Sequence, residues 1–141
     1  MSNKGLRKME KNTRSLKVGD EIPSLTKTAY MPIDPNARNV IHTDEYARDV
    51  GMRGALIGGS TLLSYVLEML YNYFDQNWFY HGIINVSFIG GGAINGDIVT
   101  AHGVITAIEK DADSNRLKLD VYLENQMQER IVVGEASCLI L

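Results

Sequence analysis

Apolar residues recur every three or four positions between Ser60 and Phe74. Leu62, Val66, Met69, Leu70 and Tyr73 share one side of a 3.6-residue period, and Leu63, Leu67, Tyr71 and Phe74 widen that side. The run contains no Pro, no Gly and a single charge, Glu68. It predicts one helix over 60–74, roughly 22 Å long at 1.5 Å per residue and covered on most sides. Ser60 or Thr61 is expected to cap it, because a hydroxyl accepts a bond from a free N–H of the first turn.

At about Trp78 the period changes from 3.6 to 2. Strands are expected near 79–89, 97–109, 115–124 and 129–140. Leu117, Leu119, Val121 and Leu123 alternate with Lys118, Asp120, Tyr122 and Glu124, the pattern of a strand with one wet face. Gly90 to Gly92, Asn95-Gly96-Asp97, Asp111 to Asn115 and Asn125 to Glu129 mark the loops and turns between them. Upstream, Leu16 to Ile22 predicts a short strand or arm with a turn at Gly19-Asp20. Pro23 interrupts it, and a second extended piece is expected over Leu25 to Met31, stopped by Pro32. Ile33 to Arg38 reads as a loop or one helical turn. Asp44 to Val50 reads as a short helix capped by Thr43 or Asp44, with Gly51 as its stop. A helix followed by three long strands in meander order predicts an α+β domain, with an antiparallel sheet around or against the helix.

Length and charge refine this picture. The 141 residues suggest one domain, 16–141, behind a tail at 1–15. Residues 1 to 17 hold six Lys and Arg against Glu10 alone, a balance of +5 within a formal net charge of -3, which leaves -8 for the rest. A solvated, poorly ordered basic tail is the expected reading, and an acidic body argues against nucleic acid as the main partner. No apolar run approaches the length that spans a bilayer, and residues 1–17 lack the apolar centre of a signal peptide. The single cysteine, Cys138, sits in an apolar strand pattern and is expected to be a buried, inert thiol. Together these features fit a cytoplasmic protein without membrane contact.

The candidate chemistry gathers between Asn39 and Ser60. Gly58 and Gly59 immediately precede the long helix and let another group approach its first N–H donors. A helix start with free donors and a positive dipole end suits a developing negative charge. His42 is the candidate general base, since neutral imidazole takes a proton at pH 7. His42, His81 and His102 share no ligand spacing, so no metal is expected. Gly90 to Gly92 lacks the Lys-Ser/Thr of a phosphate loop, and Ser60 lacks the His-acid partners of a nucleophile.

Asn39-Val-Ile-His42-Thr-Asp44, Gly54-Ala-Leu-Ile-Gly58-Gly59, the long helix, Phe88 with Gly96-Asp97, and Gly134-Glu135-Ala136 resemble the MaoC-like (R)-specific enoyl-CoA hydratases and dehydratases. The likeness covers about residues 16 to 141. It implies the hotdog fold, an antiparallel sheet wrapped around one central helix, paired as a homodimer or a higher oligomer. It also implies an acyl-CoA or acyl-carrier thioester as substrate and no further cofactor. That family's motif reads D-x-N-P-[ILV]-H, and the matching stretch here is Ala37-Arg38-Asn39-Val40-Ile41-His42. The His and Asn are present, Ala37 replaces the Asp, and Gly58-Gly59 stands where the family has His-Gly. The resemblance makes His42 the base and the N–H of Gly59 the oxyanion donor. Asn39, Gly58 and Ser60 become expected substrate contacts, and Asp34 is the candidate for a relocated acid. A hydratase or dehydratase, a thioesterase on the same fold, and a non-catalytic acyl-thioester-binding subunit remain the three functional readings.

Overall fold

The alternating strands of the C-terminal half pair into one sheet. The computed structural model describes residues 16–32, 45, 51 and 53–140. Its elements are β1 (Glu21–Thr28), α1 (Gly59–Phe74), α2 (Gln76–His81), β2 (Ile83–Phe88), β3 (Ile98–Asp111), β4 (Ser114–Glu124) and β5 (Arg130–Ile140). The strands form a single antiparallel sheet in the order β1-β3-β4-β5-β2. The meander β3-β4-β5 makes its centre, and β1 and β2 are its two edges.

The dry side of this sheet is covered by α1. Leu117, Leu119, Val121 and Leu123 of β4, Val99, Ala101 and Ile105 of β3, and Val132, Ala136 and Cys138 of β5 are all buried. They form one core with Leu62, Tyr65, Val66, Met69, Leu70 and Phe74 of α1. Each fully buried Leu, Val or Met contributes about 1.5–3 kcal/mol through removal from water, so this face outweighs any surface pair. The predicted helix, strands and α+β class are therefore observed. Glu68, the one charge on α1, meets Lys27 of β1 at 3.1 Å in a half-exposed pair that adds little stability. Cys138 is buried as expected. Its Sγ–H donates to the Asn77 carbonyl at 3.3 Å, and burial pushes the thiol up to about 12, which keeps it protonated.

Three local expectations are corrected. Residues 76–81 are helical, so the strand expected over 79–89 is confined to Ile83–Phe88, and His81 ends a helix instead of lying on a strand. Trp78 and Asn77 are buried there, whereas Phe79 and Tyr80 are exposed, and that one-sided burial suits a helical turn better than a strand. The second correction is at Pro23, which does not divide the N-terminal strand. It lies within β1, where the register with β3 shifts between Ile22 and Leu25. An edge strand tolerates a missing N–H at such a bulge. Thirdly, neither Ser60 nor Thr61 caps α1. Gly58 is the N-cap, and among the described residues no side chain caps the first-turn N–H groups. The turn at Gly19-Asp20 is present, with Lys17 N–H donating to the Asp20 carboxylate at 3.0 Å. Residues 1–15 and the expected helix at 44–50 fall almost entirely outside the described residues.

Gly134 of β5 is a point of close approach. A Cβ there would lie 2.1 Å from the Asn85 carbonyl and 2.7 Å from the Val86 Cα of β2, both backbone atoms that have nowhere to move. Gly134→Ala is therefore expected to cost about 1–3 kcal/mol and to loosen β2 selectively. Faster amide exchange at 83–88 with unchanged exchange in β3 and β4 is the measurement that checks it.

Candidate active site at the start of the central helix

The N-terminus of α1 is prepared by its own sequence. Gly58 is extended, at φ -62° and ψ 148°, and its carbonyl accepts from Thr61 N at 3.1 Å and Leu62 N at 3.2 Å. Among the described residues nothing accepts from the N–H groups of Gly59 and Ser60, and no side chain competes for them. These are the free donors at the positive end of a 16-residue helix. The ring of Phe88 from the edge strand β2 lies against Gly59, where a Cβ would come within 3.0–3.2 Å of three ring atoms. Phe88 is 52% exposed, so it borders the helix start without sealing it from solvent.

Two stretches of chain reach this helix start from outside. The first is the end of β1. Met31 directs its thioether to Gly58, whose N–H donates to Sδ at 3.3 Å. Tyr30 N–H donates to the hydroxyl of Tyr65 on α1 at 3.2 Å. The second is the segment from Arg53 to Ile57, which leads directly into the helix. Ile57 N–H donates to the Ala93 carbonyl at 2.8 Å, and Leu56 bridges Ile94. Arg53 forms a two-pronged pair with Asp97, at 2.9 Å and 2.7 Å.

Asp97 is the most perturbed carboxylate in this region. It is 4% exposed and accepts from Arg53, from Gln126 Nε2 at 2.9 Å and from Ile94 N–H at 3.0 Å. The Arg53 guanidinium, with the Gln126 and Ile94 donors, holds its carboxyl down to about 2 against the opposing effect of burial. Asp97 in turn raises Arg53. Both groups stay charged at neutral pH, and neither is free to act as a proton carrier.

Of the residues singled out from sequence, Gly58, Gly59 and Ser60 converge at the helix start. His42, Asn39, Asp34 and Ala37 lie outside the described residues. Their connection leaves the described chain after Pro32 and the description resumes continuously at Arg53, at the two ends just described. Met31, Arg53 and Asn95 were not anticipated as neighbours of the site. Phe88 was noted only within the resemblance, and Asp97 there and as part of a turn. The available signal was the Asn95-Gly96-Asp97 turn, two polar residues flanking a glycine directly before an apolar strand. A cavity of about 310 Å³ lies elsewhere, lined by Ile83, Asn85, Thr106, Lys118, Glu135 and Ser137 among others. It includes none of the helix-start residues and mixes opposite charges, so the helix start remains the better candidate.

No protein-family model matches this sequence, and no curated protein does. Solved structures do match it. A MaoC-like dehydratase from Rhodospirillum rubrum superposes with a TM-score of 0.69 at 16% identity, over 91% of this chain and 94% of that one. An (R)-hydratase from A. caviae involved in PHA biosynthesis gives 0.66 at 23% identity, over 89% and 97%. A thioesterase superfamily member from Thermus thermophilus gives 0.57 at 12% identity, over 89% and 83%. Each superposition covers about nine-tenths of this chain, and so takes in its five-stranded antiparallel sheet and α1. The chain therefore has the hotdog fold, in the form seen in MaoC-like dehydratases and (R)-hydratases.

Proposed function

We propose that the chain is a MaoC-like acyl-thioester enzyme, an enoyl-CoA hydratase or 3-hydroxyacyl dehydratase with an incomplete catalytic pair. The observation that carries this reading is the pair of N–H donors at Gly59 and Ser60, without an acceptor among the described residues, opening the helix that follows the His42 motif. In the hydration direction, His42 takes a proton from water, the water oxygen bonds to C3 of the enoyl thioester, and C2 takes a proton from the acid partner, with His42 and that acid reset by exchange with solvent. Negative charge builds on the thioester oxygen between these steps. The Gly59 N–H, aided by the helix dipole, stabilises it there. Ser60 and Gly58 border the same oxygen, Asn39 orients water or substrate, and Asp34 is the candidate acid in place of the missing motif Asp. Gly59 and Ser60 act without proton transfer, so this half of the mechanism needs no carboxylate.

The thioesterase reading is favoured by the similarity to a thioesterase superfamily member, and by Ala37 where the hydratase motif has Asp. There, water attacks the thioester carbonyl and the same N–H group meets the tetrahedral oxyanion. Crotonyl-CoA hydration and acyl-CoA hydrolysis, assayed side by side, separate the two. Hydration with little hydrolysis is the expected result. Binding without either reaction leaves a non-catalytic acyl-thioester subunit.

The proposed assembly is a homodimer through the β2 edge. Ile83 and Phe88 on that strand are 61% and 52% exposed, and the neighbouring Phe79 and Tyr80 are 73% and 76% exposed. An edge left unpaired among the described residues and flanked by exposed aromatic rings is a surface that proteins cover. Sedimentation at micromolar concentration is expected to give twice the 15.7 kDa chain mass, and a monomer would refute the assembly.

A further inference from the structure

We infer that the turn Ile94–Asp97 is a clamp that fixes both ends of the 32–53 connection against the start of α1, with Asn95 and Asp97 as its positioning residues. Its link to catalysis rests on the proposed role of His42, which lies within that connection.

The regular pairing of β1 with β3 ends at Thr28 and Ile98. It is continued by the turn. Ala29 N–H donates to the Asp97 carbonyl at 2.7 Å, and Gly96 N–H donates to the Ala29 carbonyl at 2.9 Å. Gly96 sits at φ +93°, a conformation that a residue with a Cβ rarely adopts. One step further on, the side chain of Asn95 replaces a strand. Its Oδ1 accepts from Met31 N–H at 2.7 Å and its Nδ2 donates to the Met31 carbonyl at 2.9 Å. A primary amide is the side-chain group that can copy both halves of a backbone pair. It does so on the last residue before Pro32, which has no N–H of its own. Met31, held in this way, places its sulfur on Gly58 N–H.

The returning end is held by two residues of the same turn and the residue before it. Asp97 grips Arg53, Ile94 bridges Leu56, and Ala93 immediately before them accepts from Ile57. The connection thus departs and returns on a single turn. Both of its ends are tied within a few residues of the Gly59 and Ser60 donors. A base carried between two such anchors is positioned relative to the oxyanion donors by the turn and not by α1 alone, and small misplacements of a catalytic group cost large factors in rate.

The test uses the full chain. Asn95→Ala removes both bonds to Met31 and leaves the Arg53 pair intact. Amide exchange at Tyr30–Met31 and at Gly58 is expected to rise about tenfold, the scale of losing two hydrogen bonds, with exchange in β4 and β5 unchanged. With crotonyl-CoA, kcat is expected to fall at least tenfold with KM little altered. Combined with His42→Ala, Asn95→Ala should cost nothing further, since a residue that acts by placing His42 has no effect once His42 is gone. Asn95→Asp keeps the acceptor for Met31 N–H and should recover part of the loss. It also serves if Asn95→Ala does not fold. Unchanged exchange at Met31 and Gly58 overturns the clamp. Unchanged kcat in an active enzyme, or an equal loss in the His42→Ala background, overturns its positioning role. Faster exchange in a protein whose wild type performs no hydration supports the clamp and removes the hydratase reading instead.

Discussion

Replacing His42 with alanine is expected to lower crotonyl-CoA hydration by about 10²–10⁴-fold, the usual contribution of a positioned general base. Thermal stability should stay within about 1 kcal/mol of wild type, because a group used in the transition state contributes little to the folded ground state. Turnover that survives this substitution removes His42 from the mechanism. Two companion variants locate the acid. Asp34→Asn lowers the rate by orders of magnitude if Asp34 has taken over from the missing motif carboxylate, and leaves it unchanged otherwise. Ala37→Asp restores an acid at the position where the hydratase motif has one, and is expected to raise hydration. If neither the wild type nor Ala37→Asp hydrates any enoyl-CoA, and binding of acyl-CoA persists without His42, the chain is a binding protein.

The second large effect concerns Asp97. Asp97→Ala is expected to destabilise the fold by about 3 kcal/mol, lowering the melting temperature by roughly 10 °C. The carboxylate is buried and serves Arg53, Gln126 and the Ile94 N–H together, so its removal leaves those donors without their acceptor. The loss stays near the lower end for a buried pair because Arg53 is 45% exposed and can turn to water. The same group gives the wild type an acid dependence. Its carboxyl is lowered from 3.8 to about 2 on folding. The charged form is thus favoured by the fold, and the stabilisation is complete above about pH 4. As pH falls from 4 towards 2 about 2 kcal/mol is lost, at 1.4 kcal/mol per unit. Denaturant unfolding at pH 6 and pH 2.5 should show this difference in the wild type and much less of it in Asp97→Asn. A variant as stable as wild type at pH 6 would show that the Arg53 pair is superficial.

These two residues stand differently towards the sequence. His42 is proposed from the sequence alone, because its immediate neighbours resemble a motif and an apolar helix follows, and it lies outside the described residues. Asp97 was visible as part of a turn and of the resemblance but without its partners, since Arg53 lies 44 residues earlier and Asn95 reaches Met31 across 64. Periodicity reports which side of an element is dry, and carries no information about which distant loop a polar side chain will meet.

Short-range physics settled much of the architecture in advance. The 3.6-residue apolar period of 60–74 requires a covered helix, and the period of 2 in 115–124 requires a strand with one wet face, because a side chain's direction follows from backbone geometry. Cys138 was placed correctly for the same reason. Tertiary structure decided what local pattern leaves open. The apolar run around Trp78 satisfies either period, and burial of Asn77 and Trp78 beneath the exposed Phe79 and Tyr80 selected the helix. Pro23 disrupts a strand only if its missing N–H is needed, and the sheet order made β1 an edge with a bulge there. Gly58 became the N-cap in place of Ser60 because Met31 and the Ile57 bond to Ala93 bring the chain into the helix one turn position earlier. The helix at 60–74 and the strand at 115–124 were thus determined by the sequence alone through the periodicity of burial. The joining of Met31, Arg53, Asn95 and Asp97 around the helix start was decided only by the tertiary structure, since hydrogen bonds and ion pairs between segments exist only once the sheet has brought those segments together.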